Sequence, residues 1–320
     1  MRFSDISGHE KPLGIINSYI ERSCFSGGYI FSGPEGIGKK MAAKFIAQRL
    51  NCASERAAAP CGSCSSCLKT EKLQHPDLHI IETDTQQIKI EDIRFLQREA
   101  NFRPYEGVMK IFIIDEAHRL NPEASNSLLK ILEEPPKDSL IILVTHKPQN
   151  IFKTILSRCK VIRFSPLAVS ALEDILLKDY SLDKPLAHFI ASFSEGRLGF
   201  ALRLKDSKIF EEKNRIFDSF AVSSKPFEHN LTGQNKEQLR GFLNIMASWF
   251  RDIYLLKAGF PEQQLIHLDR KDILEKLKLE FSFKQLDAIF STISESIFYL
   301  EHNVNSKLLL HNLGAQLWKA

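Results

Sequence analysis

The stretch FSGPEGIGKK, from Phe31 to Lys40, constrains the fold more than any other part of this chain. It matches the pattern G-x-x-x-x-G-K-[ST] at Gly33, Gly38 and Lys39, and it lies between an apolar run and a helix-forming segment. Glycines in this pattern let backbone N–H groups surround phosphates at a helix N-terminus, and the lysine contacts the β and γ phosphates. The sequence therefore predicts a nucleotide-binding loop between a strand and a helix. Its expected phosphate-contacting residues are Gly33, Gly36, Gly38, Lys39 and Lys40.

The last position of the pattern departs from it, because Lys40 stands where serine or threonine is usual. That hydroxyl ligates Mg²⁺, whereas a lysine ammonium carries donors only and cannot ligate a metal. We expect ATP or ADP to bind without efficient hydrolysis, and Mg²⁺ binding to be impaired.

Four of the six cysteines fall within sixteen residues, with the spacing C-x8-C-x2-C-x2-C. They are Cys52, Cys61, Cys64 and Cys67. Four thiolates suit tetrahedral Zn²⁺, and a site filled by protein ligands leaves no position for a catalytic water. The pattern predicts structural zinc; free thiols, an iron–sulfur cluster and disulfides are the alternatives. We expect the other two, Cys24 and Cys159, to pack as small apolar side chains.

Apolar runs and helical patterns alternate after the loop. The predicted strands are Tyr29–Phe31, Asp77–Glu82, Ile111–Ile114, Leu140–Val144 and Val161–Phe164, and the predicted helices between them include Met41–Leu50, Ile90–Asn101 and Asn121–Glu134. Alternation of this kind predicts a three-layer α/β domain with a mainly parallel sheet. Asp115 and Glu116 follow a buried strand, where an acidic pair positions Mg²⁺ and polarises the attacking water in nucleotide hydrolases.

Strand patterns stop near Pro166, and the remainder of the chain is predicted to be helical, with a loop over 223–238. A chain of 320 residues that is 43% apolar and 26% charged is long enough for two or three domains. No basic-then-apolar leader opens it and no apolar run is long enough for a membrane span, so we expect a cytoplasmic protein.

These segments together resemble the clamp-loader AAA+ family of bacterial DNA polymerase III. The motifs that carry the resemblance are ISGHEKP, PCGSCSSC, HPDLHII, IFIIDEAHRLN, ASNSLLKILEEPP, TILSRC, WFRDIYLLKAG and HNVNSKLLL. The resemblance implies an AAA+ P-loop domain over 1–166 with a zinc module at 52–67. A small helical lid domain over 167–205 and an all-helical collar domain over 206–320 would follow.

Membership of this family implies a subunit of the DNA polymerase III holoenzyme, a nucleotidyltransferase complex. Its partners would be gamma/tau and delta subunits in a hetero-pentamer, which places a sliding clamp on primed DNA. Arg158 of the TILSRC motif would project into a neighbour's ATP site as an arginine finger, with Asp115 and Glu116 as the chain's own Walker B residues.

The same resemblance exposes two departures from the family's motor subunits. Those subunits carry a hydroxyl at the position of Lys40 and an arginine that contacts the γ-phosphate at the position of Gly199. Arg197 is two residues away, which on a helix turns the side chain by about 200°. The sensing position after the strand Leu140–Val144 is Thr145 or His146.

Three interpretations are open at this point. The first is a clamp-loader subunit that hydrolyses ATP poorly but supplies Arg158 to its neighbour. The second is a gamma/tau-like motor ATPase of the same complex. The third is an unrelated zinc-containing protein that binds nucleic acid through its cysteine module.

Overall fold

Runs of β-branched and aromatic residues form a parallel five-stranded sheet in the computed structural model, which describes residues 9–22, 25–54, 60–83, 87–222 and 236–302. The strands are β1 (Gly27–Ser32), β2 (Leu78–Ile81), β3 (Lys110–Ile114), β4 (Ser139–Thr145) and β5 (Lys160–Arg163). Their order across the sheet is β2-β3-β4-β1-β5, with all pairs parallel. The predicted parallel sheet is therefore confirmed.

Helices alternate with these strands in the first part of the chain. They are α1 (Glu10–Glu21), α2 (Lys39–Leu50), α3 (Ser65–Glu71), α4 (Ile90–Ala100), α5 (Pro122–Glu133) and α6 (Lys153–Leu156). The start of α5 follows the capping rule, because the Asn121 side chain accepts a hydrogen bond of 2.7 Å from the Ala124 N–H and proline occupies the first helical position.

Two apolar cores lie on opposite faces of the sheet, because alternate residues of each strand point to opposite sides. One face packs Phe31, Ile113 and Ile142 against α1 and α2. The other packs Phe112 and Leu143 against α4 and α5. This is the three-layer α/β arrangement predicted from the sequence, and β4 is buried throughout because it lies between β3 and β1.

The rest of the described chain is helical. Its helices are α7 (Val169–Lys178), α8 (Lys184–Phe193), α9 (Leu198–Lys205), α10 (Ile209–Val222), α11 (Lys236–Lys257), α12 (Lys271–Glu280) and α13 (Phe283–Glu301). Their core combines the apolar faces of α11 and α13, and the Trp249 ring stacks on Phe217 with 3.8 Å between centroids. Within the described ranges, no helix combines the length and apolar character needed to cross a membrane.

The chain divides into two compact units, Met1–Leu167 with Arg197–Phe200, and Ala168–Gly196 with Ala201–Ala320. The boundaries predicted at residues 166 and 205 stay predictions. Most of the predicted loop over 223–238, most of the HNVNSKLLL motif and Cys24 lie outside the described residues, whereas residues 236–238 begin α11. Cys159 packs against the apolar core beside α5, as expected.

A buried carboxylate holds the segment that leads into β3. Asp77 is fully buried and accepts backbone hydrogen bonds from Tyr105, Glu106 and Gly107 at 2.6, 2.9 and 2.7 Å. Burial by itself raises the pKa of this carboxyl, but the three N–H donors outweigh that effect and lower the pKa below its ordinary value. The aspartate of the HPDLHII motif therefore has a structural role as an anion that fixes a loop.

We predict that Asp77→Asn lowers the free energy of unfolding at neutral pH by about 1–3 kcal/mol, because an amide offers one acceptor oxygen where the carboxylate offers two. Since the pKa of Asp77 is lowered by folding, its contribution is present above its unfolded pKa of about 3.9 and is lost as pH falls through the folded pKa. Urea denaturation of wild type and variant should therefore converge toward low pH.

The matched control is Asp138→Asn, an exposed aspartate in the turn before β4. It should stay within about 0.5 kcal/mol of wild type at every pH. Equal effects of the two substitutions at neutral pH would contradict the structural role of Asp77.

Candidate functional site

The carboxyl ends of three parallel strands bring the phosphate loop and the acidic pair to one edge of the sheet. The phosphate loop follows β1, the pair Asp115 and Glu116 follows β3, and Thr145 ends β4. Ligands of open α/β sheets bind outside the carboxyl ends of the strands. The structure thus groups the loop and the acidic pair, as the sequence predicts.

The phosphate loop requires glycine at its start, and its carbonyl oxygens accept hydrogen bonds from its own lysine, Lys39. A Cβ at Gly33, where φ is +153°, would lie 2.3 Å from the Phe164 carbonyl oxygen, so no larger residue fits. The Lys39 ammonium donates to the carbonyl oxygens of Gly33 and Pro34 at 2.7 and 2.5 Å. Burial lowers the pKa of Lys39 to about 8, against the attraction of nearby carboxylates. The lysine that would contact phosphates is hydrogen-bonded to loop carbonyls.

Lys40 is directed at two carboxylates. Its Nζ lies 2.7 Å from Glu82 Oε2 and 3.0 Å from Asp115 Oδ2. Partial burial alone would lower the pKa of Lys40, but the hydrogen bonds to Glu82 and Asp115 raise it above the ordinary value. The ammonium therefore stays charged beside the aspartate that was predicted to position Mg²⁺.

Gly199 makes a close backbone approach to the phosphate loop. The segment Arg197–Phe200 belongs to the first unit, and the N–H groups of Gly199 and Phe200 donate to the Gly36 carbonyl oxygen at 2.7 and 3.3 Å. A Cβ at Gly199 would lie 2.8 Å from that oxygen, closer than real Cβ contacts. The Arg197 guanidinium carbon lies 4.7 Å from the centroid of the Phe200 ring. The position thus lacks an arginine and also has no room for one.

Glu116 lies between two histidines. Its Oε1 is 3.2 Å from His146 Nδ1, and its Oε2 is 3.5 Å from His118 Nε2 and 3.6 Å from Arg119 Nε. His118 Nδ1 forms a hydrogen bond of 3.2 Å with Thr145 Oγ1. Burial lowers the pKa of His118, which outweighs the attraction of Glu116. The second acidic residue is thus engaged with imidazoles.

Arg158 is exposed. Its Nε and one terminal nitrogen donate to the same oxygen of Glu133, at 2.9 and 2.7 Å, and another donates to the Thr154 carbonyl oxygen at 3.0 Å. Glu133 ends α5, so the motifs LLKILEEPP and TILSRC meet in space. The guanidinium is held at the surface by partners of its own chain.

The four clustered cysteines come together around the start of α3. Their four Sγ atoms all lie within 4.8 Å of one another. Backbone N–H groups point at three of these sulfurs, from Cys61 to Cys52 Sγ at 3.4 Å, from Cys64 to Cys61 Sγ at 3.3 Å, and from Cys67 to Cys64 Sγ at 3.4 Å. Such donors favour thiolates, which are the form that binds zinc. The residues present therefore fit a structural Zn²⁺ site.

Comparisons with known proteins identify the family of the chain. The family model described as DNA polymerase III, delta subunit, matches residues 8–168, and the one described as its C terminal matches 213–317. The chain belongs to the DNA polymerase III delta subunit family. The resemblance to clamp-loader AAA+ proteins is thereby confirmed, and the interpretation as an unrelated nucleic-acid-binding protein is wrong.

Similar proteins differ in how much of their length they share with the chain. The DNA polymerase III subunit delta' of Bacillus subtilis is 29% identical over 316 residues, covering 96% of this chain and 95% of that protein. The tau subunit of Escherichia coli is 37% identical over 213 residues, covering 65% of this chain but only 33% of tau. A DNA polymerase III gamma subunit-related structure from Thermotoga maritima aligns over 97% of this chain and 99% of its own, with 17% identity and a TM-score of 0.44.

Several residues of the site were not predicted from the sequence. Glu82 directly follows β2, which pairs with β3. The rule that ligands bind at the carboxyl ends of parallel strands, which predicts Asp115 after β3, also indicates Glu82. His118 and Glu133 each lie inside a quoted motif, but only the fold brings them to Glu116 and Arg158. The sequence predicts His146 only as one of two alternatives for the sensing position.

We predict that the purified chain retains one zinc ion after gel filtration in a chelating buffer. Cys61→Ser or Cys67→Ser should remove it, because three thiolates bind zinc less tightly than four. Zinc content by atomic absorption is the measurement, and Cys159→Ser is the matched control, since its half-buried thiol lies outside the cluster. Zinc retained in full by both cluster variants would contradict the assignment.

Proposed function

We propose that the chain is a delta-prime-type subunit of the clamp loader that does not turn over ATP and that donates Arg158 to the ATP site of a neighbouring subunit. Its partners are gamma/tau and delta subunits in a cytoplasmic hetero-pentamer. The assembly places the sliding clamp on primed DNA. The position of the Lys40 ammonium between Glu82 and Asp115 is the observation that carries the proposal.

Lys40 supports loss of hydrolysis for an electrostatic reason. Mg²⁺ in such sites is held by the loop hydroxyl and an aspartate, and it neutralises charge on the transferred phosphoryl group. Here a tethered cation already lies 3.0 Å from Asp115, so a divalent ion would meet a like charge and would lack its hydroxyl ligand. The ammonium neutralises the carboxylate, but it cannot act as a metal centre that coordinates several phosphate oxygens at once.

The contacts at Lys39 and Gly199 point in the same direction. A nucleotide would have to replace the bonds from Lys39 to the loop carbonyls and the bond from Gly199 to Gly36. An arginine at position 199 would be forced into the Gly36 carbonyl. Residues of the same chain therefore fill the hydrogen-bonding positions of the loop. The structural metal of the subunit is Zn²⁺ at the cysteine cluster.

Arg158 suits a role in trans because of its exposure and its partner. Surface ion pairs contribute about 0–1 kcal/mol, so the bonds to Glu133 orient the guanidinium at little cost to its release. A guanidinium binds phosphate oxygens through two parallel N–H donors, which a lysine cannot do. The arginine can thus exchange a carboxylate of its own chain for a neighbour's phosphates.

The gamma/tau-like motor is the second candidate, because the tau relative has the higher identity over its shared 213 residues. It requires a hydrolytic site within this chain. Lys40 and Gly199 both argue against it.

We predict that Lys40→Thr tightens Mg²⁺-dependent binding of ADP by at least about tenfold, because it removes a like charge and restores a hydroxyl ligand. Turnover of ATP should stay low in the isolated chain, since position 199 still lacks the arginine. Calorimetric titration with and without Mg²⁺ measures binding, and phosphate release measures turnover.

Lys44→Thr is the matched control, because it makes the same substitution one helical turn later on α2. It should bind nucleotide as wild type does. Steady ATP turnover by the wild-type chain alone, with no gain in Lys40→Thr, would support the motor and refute the proposal.

We predict that Arg158→Ala lowers ATP hydrolysis at the neighbouring site by about 10³-fold or more, the usual worth of an arginine finger. The measurement is clamp- and DNA-stimulated ATPase in a reconstituted complex whose other sites are inactivated. Folding should be unaffected, because the side chain is exposed and its ion pair contributes little. Arg163→Ala, an exposed arginine on β5, is the control. Full activity in Arg158→Ala would exclude the finger.

A further inference from the structure

We propose that Glu116, His118 and His146 form a binding site for a divalent transition metal ion of the zinc class, separate from the cysteine cluster. One ligand atom from each lies within 4.8 Å of the other two. The two imidazole nitrogens face the two oxygens of one carboxylate, at 3.2 Å for His146 Nδ1 and 3.5 Å for His118 Nε2. The inference rests on this geometry alone and is independent of the proposed function.

The separations match a coordination shell. Zinc binds imidazole nitrogen and carboxylate oxygen at about 2.0–2.2 Å, which in a tetrahedral shell sets neighbouring ligand atoms about 3.3 Å apart. The two imidazole nitrogens lie 3.2 and 3.5 Å from different oxygens of Glu116, close to that value, and one ligand atom from each of the three residues lies within 4.8 Å of the others. Rotations of the side chains can therefore bring the three ligand atoms around one ion, which would replace the contact of 3.2 Å between His146 Nδ1 and Glu116 Oε1.

The surrounding structure orients the ligands. His118 Nδ1 forms a hydrogen bond with Thr145 Oγ1. In the tautomer in which Nδ1 donates this bond, Nε2 carries no proton and can bind a metal. Metal-bound histidines are typically oriented by such a bond from the other ring nitrogen. Glu116 has a left-handed backbone with φ +51°, which is uncommon for a residue with a side chain. Such backbone positions cluster at functional sites.

The donor set selects the metal class. Two imidazoles and a carboxylate suit zinc, cobalt, iron or nickel, whereas Mg²⁺ prefers oxygen ligands. The three side chains line part of a cavity of about 600 Å³, which leaves room for water to complete the shell. Arg119 opposes the ion, because its Nε lies 3.6 Å from Glu116 Oε2, and this charge should weaken the affinity.

A bound ion would link two strands. His118 follows β3 and His146 follows β4, so coordination joins the ends of both through Glu116. It would also occupy the carboxylate that polarises water in nucleotide hydrolases.

The test is a titration of the full-length chain with Co²⁺, after zinc has been bound at the cysteine cluster. We expect one further Co²⁺ per chain, with the weak visible bands of nitrogen and oxygen ligands and without the intense bands of thiolate ligands. His146→Ala and Glu116→Gln should each weaken binding about 100-fold or more. Thr145→Val should weaken it about 10- to 100-fold, as loss of an orienting partner does, and Arg119→Gln should strengthen it severalfold.

His302→Ala is the control, because it removes an exposed histidine of the second unit, and it should leave the titration unchanged. Absence of a second Co²⁺ per chain would overturn the proposal. So would binding that survives both His146→Ala and Glu116→Gln. Circular dichroism of each variant identifies any that fails to fold. If one of the two ligand variants fails to fold, the Co²⁺ titration of the other decides the result.

Discussion

Parallel pairing of β2, β3, β4 and β1 brings Glu82, Asp115 and the phosphate loop to one edge of the sheet. Parallel strands run in one direction, so the residues that follow them emerge together. Glu82 follows β2, Asp115 follows β3 and the phosphate loop follows β1. Lys40 contacts Glu82 and Asp115 only because of this shared direction, since the two carboxylates lie 42 and 75 positions away along the chain.

The carboxylates at the carboxyl edge of the sheet require balancing positive charge. Carboxylates at this edge are normally balanced by a bound Mg²⁺ and oriented against phosphates. In this chain a tethered ammonium balances two of them, and imidazoles and Arg119 surround the third, Glu116. Charge balance is thus independent of nucleotide. Arg158 is exposed on another part of the same unit, where it pairs with Glu133.

Much of the fold could be predicted because its determinants are local. Apolar runs gave the strands, and Asn121 with Pro122 marked the start of α5. The acidic pair and the loop were found by motif and position. Glu133 could not be connected with Arg158, because they are 25 positions apart and neither alone indicates the other. His118 and His146 were equally separate in sequence, with 28 positions between them.

The chain's own residues determine which chemical groups are present: a phosphate loop with lysine at position 40, glycine at position 199 and four clustered thiols. Local patterns determine these features because strand periodicity, capping and ligand spacing are short-range properties. Only the tertiary structure decided what Lys40 binds, that Gly199 approaches the Gly36 carbonyl, and that Glu116 lies between two imidazoles. The reason is physical, since those contacts depend on strand order and on distances between segments that no local pattern encodes.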